Sequence, residues 1–359
     1  MRFAGLLSAA LAVLSVMAAP SARAADEPLK VGFVYVSPVS DAGWTYQHEI
    51  ARQELQKNLG DKIRTSYVEN VPEGADAERV IRQFASSGHK LIFTTSFGYM
   101  NPTIKVAAQF PDVVFMHATG YKTAKNVGTY LARFEEARYL TGMVAGKMTN
   151  SNVVGYVAAF PIPEVVRGIN GFTLGLRSVN PKAEVRVIWT SSWYDPGKER
   201  EAAEALIAQG ADVLTHHTDS TAVVQAAEEK KKMAIGYHSD MSKYGPHAHL
   251  TAATHHWGDY YTKVVNQVLA GKWTSDQVWG GIKDGMVDIA PYGPAVTSAV
   301  REIVNARKAE IKDGTFNIFA GPIKDQDGKV RIPEGQTMSD KDQLAFDWYV
   351  EGVVGKLPK

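Results

Sequence analysis

Cysteine is absent from all 359 residues. That excludes a thiol nucleophile, any disulfide, and lipid attachment through an N-terminal cysteine. Glycine-rich phosphate loops are missing as well. The segment after the first predicted strand reads Ser37-Pro38-Val39-Ser40-Asp41-Ala42-Gly43, so a dinucleotide site would lack its tight Gly-x-Gly-x-x-Gly turn. No Gly-x-x-x-x-Gly-Lys-Ser/Thr and no Gly-x-Ser-x-Gly occurs, which argues against nucleoside triphosphate hydrolysis and against a hydrolase elbow. The chain is therefore not expected to be an enzyme, and no cofactor is implied. Charge of one sign is also lacking, with 39 Lys and Arg against 38 Asp and Glu. The one compact basic run, Lys230-Lys231-Lys232, fits a solvated helix end, so nucleic acid is not an expected partner.

Long apolar runs are confined to the amino terminus. Arg2 precedes the apolar stretch Phe3 to Ala19, and Ala22-Arg23-Ala24 closes it with small residues. This pattern predicts a secretory signal peptide over residues 1–24, cut after Ala24. Without Arg2 and Arg23 the mature chain carries 37 basic and 38 acidic residues. No later stretch approaches the roughly 18 apolar residues of a membrane span. A soluble periplasmic protein, exported and not lipid-anchored, is the expectation.

What is present is a repeated β/α alternation. Strands are predicted at 31–36, 63–69, 91–95, 113–117 and 127–131, with helices at 46–59, 75–86, 102–109 and 135–148. The pattern restarts near Asn150, with strands at 153–158, 184–190, 213–216 and 234–237 and helices at 164–179, 197–209 and 221–231. Such alternation predicts parallel βαβ sheets, and the restart predicts two similar lobes. The tail offers a helix at 259–270, a strand near 287–290, a helix at 294–312 and a strand at 316–319. These pieces complete the two sheets only if the chain crosses between lobes more than once, which makes a hinge. The expected amino-terminal lobe is 25–148 plus about 254–290. The carboxy-terminal lobe is 149–253 plus about 291–359.

Two of the seven tryptophans stand in polar loops just beyond strand ends. Trp44 lies in Asp41-Ala42-Gly43-Trp44-Thr45-Tyr46, and Trp193 in Trp193-Tyr194-Asp195-Pro196-Gly197. Ligands of open α/β sheets settle beyond the carboxyl ends of the strands, and a large ring there suits a ligand platform. Phe97 and Tyr99, after the strand at 91–95, are expected at the same mouth. The other tryptophans are assigned to packing. Asp219 and Asp240 follow two more strands. Each either caps the next helix or turns inward to accept N–H donors from a ligand ring. Seven of the ten histidines fall between His216 and His256. They fit either neutral partners on a crevice rim or, as a rival reading, the ligands of a periplasmic metal-capture protein.

At these residues the chain resembles the basic membrane protein family of ABC-transporter substrate-binding proteins, the purine-nucleoside-receptor-like group. The markers are Asp41-Ala42-Gly43-Trp44-Thr45, Asn126-Val127-Gly128, Val153-Val154-Gly155-Tyr156-Val157, Asp195-Pro196-Gly197-Lys198, Gln209-Gly210-Ala211-Asp212-Val213 and Asp313-Gly314-Thr315-Phe316 leading to Phe319-Ala320-Gly321-Pro322. The resemblance implies a two-lobed periplasmic binding protein of type I fold, each lobe an α/β/α sandwich around a parallel sheet. It implies a monomer that delivers its ligand to an inner-membrane ABC permease. In that family an aromatic ring from each lobe stacks on a purine nucleoside; both are commonly Phe, and here the positions read Trp44 and Trp193. The Asp and Lys that hold the ribose in the family are replaced, by His238 and by the stretch Thr254-His255-His256. The departures point to a free purine base, adenine first, gripped by the two indoles. Its edge would be read by Asp219, His238 and their neighbours Thr45, Tyr46, Asp240 and His255. A purine nucleoside, or an oxidised purine such as xanthine or urate, is the alternative.

Overall fold

A computed structural model describes residues 27–358; the expected signal peptide lies outside the described residues. The first βα units run β1 (Leu29–Val34), α1 (Trp44–Leu59), β2 (Ile63–Val68), α2 (Ala75–Ser86), β3 (Leu91–Thr94), α3 (Met100–Ala107), β4 (Val114–Ala118) and β5 (Val127–Ala132). After α4 (Phe134–Met148) the pattern begins again, with β6 (Val153–Ala158), α5 (Pro163–Val179), β7 (Glu184–Trp189), α6 (Pro196–Ala208), β8 (Val213–His217), α7 (Ala222–Glu229), β9 (Met233–His238) and β10 (His249–His255). The tail supplies α8 (Gly258–Leu269), β11 (Gln277–Gly280), β12 (Val287–Ile289) and α9 (Ser298–Asp313). Short pieces follow: β13 (Ile323–Lys324), β14 (Val330–Ile332), α10 (Asp340–Gln343) and β15 (Val353–Val354). Among the described residues no helix is long and apolar enough to cross a membrane.

Two large sheets result, one for each lobe, as the restart near Asn150 predicts, and β13 and β14 form a small two-stranded sheet of their own. The first has the order β11-β5-β4-β3-β1-β2 and the second β12-β10-β9-β8-β6-β7-β15. Val31 pairs with Leu91 across β1 and β3, and Val154 with Val213 across β6 and β8, all parallel. These inner strands are buried on both faces, which is why they read as continuous apolar runs. In each large sheet the first strand has the next two strands on opposite sides of it, β2 and β3 flanking β1, and β7 and β8 flanking β6. That makes the carboxyl ends of β1 and β6 the switch points at which such sheets open a crevice.

The chain crosses between lobes repeatedly, but not where the sequence placed the boundaries. β12 was expected with the amino-terminal lobe, to about residue 290; it pairs antiparallel with β10 in the second sheet, Ala253 opposite Ile289. Only β11, parallel to β5, returns to the first sheet. Helix α4 was also expected in the first lobe, and it packs instead along α5 of the second. The reason is a face of small residues. A Cβ on Gly142 would stand 2.1 Å from the Phe172 carbonyl oxygen, and one on Gly175 only 1.9 Å from that of Tyr139. Glycine lets the two backbones touch. The strand expected at 316–319 does not form; these residues make a turn in which Asn317 Oδ1 accepts from the Phe319 N–H at 2.9 Å.

Candidate functional site

Loops from both lobes meet at the carboxyl ends of the parallel strands. They surround a narrow cavity of about 30 Å³ lined by Val36, Trp44, Ser96, Phe97, Thr119, Glu164, Trp193, His217, Thr218, Asp219 and His238.

Trp44 is the first residue of α1, and its backbone begins that helix after Gly43 at φ 102°. Its ring is 9% exposed. The indole N–H donates to the Thr95 carbonyl at 2.6 Å. Behind it stand the rings of His255 and Trp257, at 5.0 and 6.1 Å between centroids. That backing fixes the ring plane at the cavity wall. Trp193, on the β7–α6 loop, is half-buried beside Phe160, at 5.0 Å. The loop that carries it is tied down by an N-cap at Asp195. Asp195 accepts from the Lys198 N–H at 3.1 Å, and its own N–H donates to Glu199 Oε1 at 3.1 Å, a reciprocal capping arrangement. Glu199 Oε2 in turn accepts from Thr218 and Ser220 hydroxyls at 2.8 and 2.6 Å. The Asp219 N–H donates to the Trp193 carbonyl at 2.9 Å. The Trp193 and Asp219 loops therefore move as one body.

Each indole-bearing segment is held by a carboxyl group of the opposite lobe. Asp219 accepts from the Trp44 backbone N–H through Oδ1 and from the Ser37 hydroxyl through Oδ2. The Ser37 and Thr45 hydroxyls share a 2.6 Å bond beside it. Helix α1 has no side-chain cap of its own, so Asp219 caps it from across the cleft, where the helix dipole favours negative charge. Conversely, Glu73 Oε1 accepts from the Trp193 indole N–H at 3.2 Å and from Gly98 N–H at 2.9 Å. Gly43 N–H donates to Ser239 Oγ at 3.0 Å, and a Cβ at Gly43 would stand 2.2 Å from the Asp219 carbonyl oxygen. Glycine is needed there for the lobes to meet. Burial pushes the Asp219 carboxyl up to about 8, against the pull of its Ser37 and Trp44 donors.

The remaining expected site residues divide. Phe97 and His238 line the cavity. His238 holds a left-handed backbone at φ 70°, a strained conformation that surrounding structure must impose. Its Nδ1 lies 3.0 Å from His255 Nε2, so His255 supports the wall from behind. Burial presses both imidazoles well below their usual range, and they stay neutral. Thr45 is fully buried in the Ser37–Asp219 network. Three expectations are corrected. Tyr99 points into the core of the first lobe, its hydroxyl on the Val71 carbonyl at 2.5 Å. Asp240 is exposed and caps a turn, accepting from Ser242 N–H at 2.8 Å. Tyr46 is half-buried and does not line the cavity. Within the histidine-rich stretch, His247 is exposed and bound to Glu228 at 2.6 Å. Among the described residues no three His, Asp or Glu side chains converge as ligands.

Glu164 is one of the cavity residues that sequence reasoning missed, with Val36, Ser96, Thr119 and Thr218. It sits in the first turn of α5, after Phe160-Pro161-Ile162-Pro163 at the carboxyl end of β6. Its side chain is nine-tenths buried, and Oε2 has no partner. Oε1 lies 3.9 Å from His217 Nε2. Burial raises its carboxyl to about 7, with Arg167 pulling the other way. The available signal was position alone: an acid immediately beyond a switch-point strand.

A family model described as ABC transporter substrate-binding protein, PnrA-like, matches residues 29–317. The purine-binding protein of Brucella abortus (strain 2308) is 52% identical over 335 residues, covering 93% of this chain and 95% of that protein. A putative ABC transporter glucose-binding protein of Haloferax volcanii is 39% identical over 335 residues, 92% of this chain and 82% of that one. Among solved structures, an ABC transporter solute-binding protein from Aeropyrum pernix K1 is similar in fold. Its TM-score is 0.71 at 19% identity, over 88% of this chain and 95% of that one.

Proposed function

We propose that this chain, which belongs to the family of PnrA-like ABC transporter substrate-binding proteins, captures a free purine base, adenine before others. Proteins of this class work outside the cytoplasmic membrane and pass a small ligand to a permease; periplasmic capture by a single chain is the finer reading. The observation that carries it is the pair of indoles, one from each lobe, lining one narrow cavity. Aromatic faces prefer planar partners, and each stacked pair adds about 0.5–1.5 kcal/mol beyond the area it buries. A flat heterocycle uses both faces at once. The name of the Brucella abortus relative points the same way, and that of the Haloferax volcanii relative points to glucose.

Base rather than nucleoside is supported by the two histidines at the positions where the resemblance puts ribose-holding charges. His238 and His255 are neutral and turned to one another at 3.0 Å. Neither offers a carboxylate or an ammonium to a sugar hydroxyl. Closing joins Asp219 to α1 and Glu73 to Trp193, so a ligand that touches both lobes shifts the protein toward the closed form. Calorimetric titration with adenine, guanine, xanthine, urate, adenosine and glucose tests the reading. Adenine should give the tightest saturable binding. Saturation by glucose with no heat from any purine would overturn it.

A further inference from the structure

The cavity's polar groups are nearly all spoken for. Both indole N–H groups are spent on Thr95 and Glu73. Both Asp219 oxygens are taken by Trp44 and Ser37, and His238 is paired with His255. Glu164 Oε2 remains, buried and without a partner on the wall of the cavity, and beside it His217 Nδ1, likewise unpartnered. We propose that Glu164 reads the base edge as a neutral carboxylic acid, its O–H donating to a ring nitrogen and its carbonyl oxygen accepting from the adjacent exocyclic amine. This rests on the purine reading and names the group that selects within it. A neutral carboxyl is one donor beside one acceptor, which matches the amidine edge of adenine in two parallel hydrogen bonds. An ionised carboxylate only accepts. It would repel the adenine ring nitrogen and would suit the adjacent N–H and N–H₂ of guanine instead.

The surroundings keep the proton on. From α5, Arg167 is the cation that favours ionisation, but its Nε is engaged by Glu135 at 3.0 Å. From α4, Glu135 opposes a second negative charge, and Arg138 is drawn away to the His216 carbonyl at 2.6 Å and over the Tyr237 ring. From β8 and β9, His217 and His238 are neutral, pressed well below the imidazole range by burial, and the Tyr237 hydroxyl is raised well above its own. Asp219 closes the far side, itself pushed up to about 8. Desolvation dominates, and the Glu164 carboxyl titrates near 7.

Calorimetry on the full chain with adenine and with guanine, from pH 6 to 8.5, tests this. Adenine stays neutral across that window. With a free-protein value near 7, deprotonation should weaken wild-type adenine binding about 30-fold over the range. Asp219 contributes with the same sign, so the readout is the difference between wild type and Glu164→Gln, whose amide keeps a donor and an acceptor. E164Q should bind adenine at pH 6 within about threefold of wild type and lack the Glu164 share of the pH slope. If E164Q fails to fold, proton uptake by wild type near pH 8, measured in two buffers, decides. Adenine should draw more protons than guanine, because closure on Asp219 is common to both. Equal slopes in the two proteins, or equal proton uptake for the two bases, overturn the proposal while leaving purine binding intact. Failure of every purine to bind overturns the purine reading first.

Discussion

Trp193 is the residue on which the site depends most openly. It is half-buried, it is held by Glu73 from the other lobe, and it lines the same cavity as Trp44. Trp193→Ala removes a stacking face and one interlobe bond together. Adenine affinity should fall at least tenfold, about 1.4 kcal/mol, by calorimetry; unchanged affinity would make the ring a packing residue. Gly43→Ala tests the approach of the lobes. Its φ of 102° disfavours a side chain, and its Cβ would meet the Asp219 carbonyl oxygen. Ligand binding should weaken at least tenfold, and X-ray scattering with saturating adenine should show a wider molecule than wild type. Both tryptophans were legible in the sequence, because a large apolar ring in a polar loop has no packing period to explain it. Glu164 was not, because an acid in the first turn of a helix is an ordinary response to the helix dipole. Asp219 was legible as a strand-end carboxylate, but its partner was not. The cap it provides is for α1 of the opposite lobe, 175 positions away, and no local pattern encodes that.

At the scale of elements, the βα units of both lobes follow from alternating apolar and amphipathic runs, and their ends shift by only a few residues. β10 escaped, since His249-Leu250-Thr251-Ala252-Ala253-Thr254-His255 is fully buried and so shows no alternation, and alanine is a poor strand former. Helix α4 was assigned to the wrong lobe because its small-residue face was not weighed. That face makes a prediction. Gly175→Ala places a methyl group 1.9 Å from the Tyr139 carbonyl oxygen. The α4–α5 crossing must open, and stability to urea should drop by about 1–3 kcal/mol. Because α4 enters the second lobe directly from β5 of the first, the same variant should also alter ligand affinity. A variant with wild-type stability would show that the helices have room to separate.

For the molecule as a whole, buried titratable groups set the pH dependence of stability. Eight histidines (His48, His89, His117, His216, His217, His238, His249 and His255) are pushed toward the neutral form by burial, His117 and His216 down to about 3. A depressed folded value contributes stability above the unfolded value of about 6.5 and loses it as pH falls toward the folded one. Four buried carboxyls have the opposite sign, Asp219 raised to about 8, Glu164 and Glu136 to about 7, and Glu199 raised as well. Their contribution is present at low pH and is lost as pH rises through those values. Below about pH 6.5 the histidines outnumber the carboxyls; above it only the carboxyls titrate. Thermal stability of the free protein should therefore peak near pH 6.5 and fall on both sides. A Tm that climbs steadily from pH 5 to 8.5 would mean the carboxyls are solvated in solution.

Two lobes, two indoles and one cavity between them make a clamp, and the clamp is the centre of this account. A crystal structure of the adenine complex tests it most directly. The account predicts the purine ring lying between Trp44 and Trp193, parallel to both at stacking distance, with its amine edge toward Glu164. A base bound against only one indole, or held outside the interlobe cavity, would contradict it.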